Sequence, residues 1–246
     1  MSFPITLTEV PYVATDQMIE VDRAMIKDYG IELIQMMENA GRNLAHLARE
    51  RFFLADPVGR KVAVMAGSGG NGGGALVAAR RLQNWGASVH VLLGQAPEKM
   101  APVPARQLDI LQRMKVPGST RAAESSDASF DLVLDGLIGY SLSGAPHGLI
   151  ADLIRWANAQ PAAILSLDTP SGIDTTSGTV FDPAIRATAT MTLALPKKGL
   201  RVPGVEAQIG ELYLADISVP PGLYAEPALH LEVGPLFARD DIIRLL

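Results

Sequence analysis

Apolar residues recur every three or four positions over 15–29 and again over 32–53, which predicts two amphipathic helices at the start of the chain. In the first, Met18, Val21 and Met25 share a face, Thr15 is placed to cap it and Gly30 to end it. In the second, Leu33, Met36, Met37, Ala40, Leu44 and Leu47 make a stripe. Methionines at this spacing predict core or subunit contact, not a ligand box. From residue 61 the period changes. Apolar runs at 61–66, 88–93, 131–135, 162–168, 187–195 and 210–216 read as strands, with helical stretches at 73–86, 104–115 and 147–159 between them. This alternation predicts an α/β fold, a mostly parallel sheet covered on both faces. The most loop-like stretch, 117–129, does not break the rhythm, so a single domain over 1–246 is expected. The tail from about 219, rich in proline and glycine, is expected to wrap the surface.

Composition narrows the chemistry. The 246 residues include no cysteine, which removes disulfides, thiolate zinc sites and cysteine nucleophiles. A net charge of −5 argues against a nucleic-acid or acidic-membrane partner. The N-terminus lacks a cationic region followed by an apolar core, and no apolar run is long enough to span a bilayer, so a soluble cytoplasmic protein is expected.

Open α/β sheets bind ligands at the C-terminal ends of their strands, and three strand ends here are chemically loaded. The first runs into GSGGNGG at 67–73, where glycines admit a ligand to the backbone and a helix N-terminus offers unpaired N–H groups to phosphate. Gly67, Gly69 and Gly72 match GxGxxG, but the next strand ends in LLGQA with no acid before Glu98, which disfavours an ordinary NAD dehydrogenase. The third strand ends in Asp135 before GLIGYSLSGAPHG, and the fourth in Asp168 before TPSGIDTTSG. Asn71, the two carboxylates and Ser171 supply hard oxygen ligands, suited to a hard cation and not to zinc. His46 and His90 read as structural, and His147 adjoins the second loop. Lys197 and Lys198 follow a strand, as a solvated cap or as a phosphate contact.

With these pieces in place, the chain resembles the NAD(P)H-hydrate epimerase family, also called the YjeF N-terminal-domain family. AGSGGNGGGALVAARRL is similar to the family's GPGNNGGDGLVAARHL, and DLVLDGLIGYSLSG to its D-x-x-V-D-A-L-F-G-x-G. SLDTPSGIDTTSG is similar to its D-I-P-S-G-L-D-x-x-x-G, TLALPKKGL to its T-x-x-x-P-K-x-G-L, and the first two helices to its opening pair. The resemblance spans about 14–217. It implies a Rossmann-like three-layer α/β/α domain, a homodimer, and interconversion of the R and S forms of hydrated NADH and NADPH. A separate dehydratase then consumes the S form.

By position, the resemblance implies that Asn71, Asp135 and Ser171 hold a potassium ion. Gly70, Asn71, Gly72, Gly73 and Gly74 match one substrate loop. Gly139, Tyr140, Ser141, Leu142, Ser143, Gly144 and Ala145 match a second, with Asp168 as a further contact; Lys197 is a substrate-binding candidate from its place after a strand. Loss of hydroxide from the hydrate gives a planar iminium to which water returns. A carboxylate must exchange the proton, and Asp168 is the expected catalytic group, with Asp135 beside it chiefly a cation ligand. The sequence departs from the family's NNGGDG at Gly70, Gly74 and Ala75, losing an Asp at Gly74. Two alternatives follow from that loss: a nucleotide-binding scaffold without catalysis, or an enzyme acting on another nucleotide-like substrate.

Overall fold

The computed structural model describes residues 3–6, 9–120 and 129–245; most of the loop-like stretch at 117–129 lies outside them. One sheet organises the chain. Its strands are β1 (Lys61–Ala66), β2 (Ser88–Leu93), β3 (Gly118–Ser119), β4 (Leu132–Gly136), β5 (Ala163–Leu167), β6 (Ala189–Leu193), β7 (Glu211–Ala215) and β8 (Ile242–Arg244). They lie in the order β3-β2-β1-β4-β5-β6-β7-β8. Every pairing through β7 is parallel, and β8 alone runs antiparallel.

The helices are α1 (Thr15–Lys27), α2 (Leu33–Phe52), α3 (Gly70–Asn84), α4 (Pro102–Arg113), α5 (Gly148–Ala159), α6 (Glu206–Ile209) and α7 (Pro221–Tyr224). The period-two geometry of strands sends alternate residues of β1 to opposite layers. Val62, Val64 and Ala66 pack with Leu44 of α2, Leu76 and Leu82 of α3 and Leu111 of α4. Ala63 and Met65 pack instead with Leu153 and Ile154 of α5. Strands buried on both faces are why these runs read as continuously apolar. The result is the expected α/β architecture, with helices on both faces of the sheet.

Three local expectations change. Thr15 does not cap α1: its hydroxyl bonds Thr175 Oγ1 at 2.8 Å, and Ala14 holds the cap position with its N–H on Gln17 Oε1 at 3.0 Å. A partner 160 residues away outcompetes the local bond. The tail after 219 does not merely wrap the surface. It forms α7 and β8, and Leu223, Tyr224 and Ile243 bury themselves against Met18, Val21 and Met25 of α1. Finally, α3 begins at Gly70 and not at 73, so glycines 70–74 are helical. Glycine costs about 1 kcal/mol against alanine in a helix, yet close packing requires it here. A Cβ on Gly72 would sit 1.9 Å from the carbonyl oxygen of Gly67, and one on Gly41 would sit 2.4 Å from that of Gly74. The second contact sets the close crossing of α2 and α3. Among the described residues, no helix is long and apolar enough to cross a membrane.

Candidate active site

The strand order reverses between β1 and β4, the position at which open parallel sheets present a crevice. A cleft of about 890 Å³ opens there, over the C-terminal ends of β1, β4 and β5. Its walls are apolar on the side of α1 and α2, through Met18, Ile26, Leu33, Met36 and Met37, and polar where the loops meet. The methionine stripe of α2 is core, as expected, but one edge of it faces the cleft.

At the floor stands Asp168, directly after β5. It adopts φ +66°, a left-handed conformation that few residues other than glycine take. Its N–H donates to the Met191 carbonyl at 2.7 Å, which anchors the turn to β6. Lys197 Nζ donates to Asp168 Oδ1 at 2.5 Å, to the Leu193 carbonyl at 2.8 Å and to Thr192 Oγ1 at 3.3 Å. All three ammonium protons are therefore placed. Lys197 is 0 % exposed and Asp168 3 %, a buried ion pair at the base of an open cleft. The N–H of Tyr140 donates to Asp168 Oδ2 at 3.2 Å. Lys197 is thus the inward lysine, while Lys198 points to solvent.

Beneath the floor lies Asp135, 0 % exposed. Its Oδ1 accepts from Ser171 Oγ at 2.6 Å and from the Leu137 N–H at 3.3 Å, and its Oδ2 from Ser166 Oγ and the Ser171 N–H, both at 2.9 Å. Burial pushes its carboxyl up, against the pull of those donors. Among the described residues no cationic side chain pairs with it. Enclosed by these four donors, Asp135 does not line the cleft, whereas Asp168, the other carboxylate expected at the catalytic centre, does.

The same enclosure bears on the cation. A buried carboxylate without a counter-charge is costly, and Asn71 Nδ2 nearby is buried with no hydrogen-bond partner. Turning that amide would present its oxygen instead. One carboxylate, one hydroxyl and one amide fit a hard monovalent cation. Among the described residues no cluster of three or more His, Cys, Asp or Glu exists to hold a metal of higher demand.

Above the floor, Ser68, Gly69, Gly70 and Asn71 bring the N-terminus of α3 to the cleft, with Gln95 Nε2 donating to Ser68 Oγ at 3.0 Å. The first amides of α3 have no intrahelical acceptor and point at whatever anion enters. Of the five glycine-loop residues expected to bind substrate, Gly70 and Asn71 line the cleft, whereas Gly72, Gly73 and Gly74 are buried inside α3. A Cβ at Gly74 would lie 2.9 Å from Leu167 Cδ2 and 3.7 Å from Ala40 Cβ, so an apolar side chain occupies that space. All seven residues from Gly139 to Ala145 line the cleft, and so do His147, Asp168 and Lys197.

Asp22 of α1 also lines it, and its Oδ2 accepts a short hydrogen bond from the Tyr140 hydroxyl. The sequence reading missed Asp22. Its signal was an acid four residues after Met18 and three before Met25, inside the apolar face of α1.

Residues 33–199 match the family model described as YjeF-related protein N-terminus. The chain belongs to that family. This YjeF-related chain is 44 % identical over 90 % of its length to the NAD(P)H-hydrate epimerase of Dehalogenimonas lykanthroporepellens, covering 87 % of that protein. It is 38 % identical to the NAD(P)H-hydrate epimerase of Truepera radiovictrix, covering 84 % of this chain and 90 % of that one. A bifunctional NAD(P)H-hydrate repair enzyme of Moorella thermoacetica is 36 % identical across 87 % of the YjeF-related chain, which spans only 41 % of that longer protein. The crystal structure of yeast ynu0 shares the fold, with TM-score 0.82 and 23 % identity over 96 % of this chain and 100 % of that one.

Proposed function

We propose that this chain is an NAD(P)H-hydrate epimerase, an isomerase that interconverts the R and S forms of hydrated NADH and NADPH. The observation that carries the reading is the Asp168–Lys197 pair at the floor of the cleft that the α3 N-terminus also faces. This arrangement supports phosphate binding and proton exchange acting on one substrate. The 44 % identical relative supports it.

The hydrate carries hydroxyl on the carbon beside the ring nitrogen. The nitrogen lone pair expels it, leaving a planar iminium. Asp168 gives the departing hydroxyl its proton, drawing on Lys197 Nζ across 2.5 Å. The amides at the start of α3 hold the diphosphate, and the loop from Gly139 to Ala145 encloses the reacting ring. Asn71, Asp135 and Ser171 would hold a potassium ion, which when bound supplies positive charge that neutralises Asp135. We further propose that the protein works as a homodimer alongside a separate dehydratase.

The test follows consumption of the R form after a dehydratase has exhausted the S form. Addition of this protein with potassium is expected to accelerate consumption above the spontaneous rate, and a rate equal to the protein-free control would reject the reading.

The cation makes its own prediction. Potassium chloride, compared with N-methylglucamine chloride at equal ionic strength, is expected to raise Tm. A hundredfold excess over Kd is worth about 2.7 kcal/mol, or roughly 5–11 °C for a chain of this size. Asp135→Asn is expected to abolish the shift. Equal melting in both salts would show that no such site forms.

A further inference from the structure

An epimerase must serve two positions: the hydroxyl leaves one face of the planar ring and water arrives at the other. Asp168 is poorly suited to both. Lys197 Nζ holds its Oδ1 at 2.5 Å, the Tyr140 N–H holds its Oδ2 at 3.2 Å, and its left-handed backbone is tied to Met191. A carboxylate fixed at both oxygens does not swing across a ring. The cleft holds a second pair of proton-bearing groups on a different wall. Asp22 projects from α1, and its Oδ2 accepts a hydrogen bond from the Tyr140 hydroxyl, while both side chains line the cleft. Tyr140 is held from three directions. Its N–H reaches Asp168, its carbonyl accepts from Thr175 Oγ1 at 3.4 Å, and its hydroxyl reaches Asp22.

We infer that Tyr140 is the second catalytic residue of this site and that Asp22 is its positioning residue and proton acceptor. The inference rests on the epimerase reading above. As water adds, its oxygen lone pair forms the new carbon–oxygen bond and the carbon–nitrogen π pair returns to the ring nitrogen. The proton lost by the water passes to Tyr140 Oη, and the proton of Tyr140 passes to Asp22 Oδ2. The Asp168–Lys197 pair has meanwhile given one proton to the departing hydroxyl. In the reverse direction the roles exchange, and solvent resets both pairs when flux runs one way.

The relay as described needs Asp22 ionised. The charged and titratable groups facing Asp22 are Tyr140 on its loop, Asp168 after β5, Lys197 after β6 and Tyr224 of α7. Burial raises the Asp22 carboxyl above its ordinary value, with Asp168 adding to the rise and Tyr140 and Lys197 opposing it. Burial and Asp22 likewise push the Tyr140 hydroxyl up, which keeps its proton in place at neutral pH. Hence kcat is expected to fall as pH drops through the raised Asp22 value.

The experiment compares Asp22→Asn, Asp22→Glu, Tyr140→Phe and the Asp22→Asn/Tyr140→Phe double variant with the intact protein in the coupled assay. Each of Asp22→Asn and Tyr140→Phe is expected to lower kcat by about 10²-fold, the low end for a lost acid–base group, with KM within threefold. Asp22→Glu is expected to recover part of the loss, and Asp22→Asn to lose the acidic limb of the pH profile. Because the two residues form one relay, the double variant is expected to be no slower than the singles. Circular dichroism and Tm separate chemical loss from misfolding. If the intact protein accelerates epimerisation but the single variants keep kcat within threefold, or the double loss equals the product of the singles, the relay is wrong and the epimerase reading stands. If the intact protein does not accelerate epimerisation at all, the functional reading itself falls.

Discussion

Asp168→Asn is expected to lower kcat for epimerisation by about 10²–10⁴-fold, the usual worth of a positioned acid–base group. The coupled assay of R-form consumption measures it. The substitution also strands the Lys197 ammonium, which is 0 % exposed, without its counter-charge. Removing one partner of a buried pair costs about 3–5 kcal/mol, so the single variant is expected to melt well below the parent. Stability and chemistry are separable. Replacing a whole buried pair by neutral groups of similar volume is often close to neutral. The double variant Asp168→Asn/Lys197→Met is therefore expected to regain much of the lost Tm and none of the rate. Full turnover in either variant would remove Asp168 from the mechanism.

The second large effect is on folding. Gly72→Ala would place a Cβ 1.9 Å from the Gly67 carbonyl oxygen, a backbone atom that cannot rotate away. Such overpacking costs about 1–3 kcal/mol, occasionally more. At about 3 kcal/mol, Tm is expected to drop by roughly 6–12 °C. Gly70→Ala, two residues earlier, meets no heavy atom within 4 Å. It is expected to leave Tm unchanged or raise it slightly, since alanine favours helix by about 1 kcal/mol over glycine. Thermal melts of the two variants, run side by side, decide whether these glycines serve packing or ligand approach. Similar Tm values for both would show that the close approach is not limiting.

The contrast between Gly70 and Gly72 shows what the glycine-rich segment hides from a reader of sequence. GSGGNGGG looks like one loop because glycine disfavours helix locally. In the fold it divides. Gly69 and Gly70 border the cleft, while Gly72, Gly73 and Gly74 allow α3 to lie close to its own entry turn and to α2. The strand-end carboxylates divide in the same way. Asp135 and Asp168 both read as an acid closing an apolar run, yet one is sealed beneath the floor by Ser166 and Ser171 and the other stands in the cleft against Lys197. Only the path of the backbone after each strand, including φ +66° at Asp168, distinguishes them.

Local pattern was sufficient wherever the deciding energy was periodic burial. Continuous apolar runs placed β1, β2, β4, β5, β6 and β7. The 3.6-residue period placed α1, α2, α4 and α5. The motifs alone marked the three strand ends that meet at the cleft. Tertiary structure decided the rest, because it depends on contacts between distant segments. Asp22 meets Tyr140 from 118 residues away, Lys197 meets Asp168 from 29, and the tail returns as β8 to pair with β7. Burial energy is written into the spacing of residues along the chain. The choice of partner for a buried charge or hydroxyl is settled only when the sheet has brought its strand ends together.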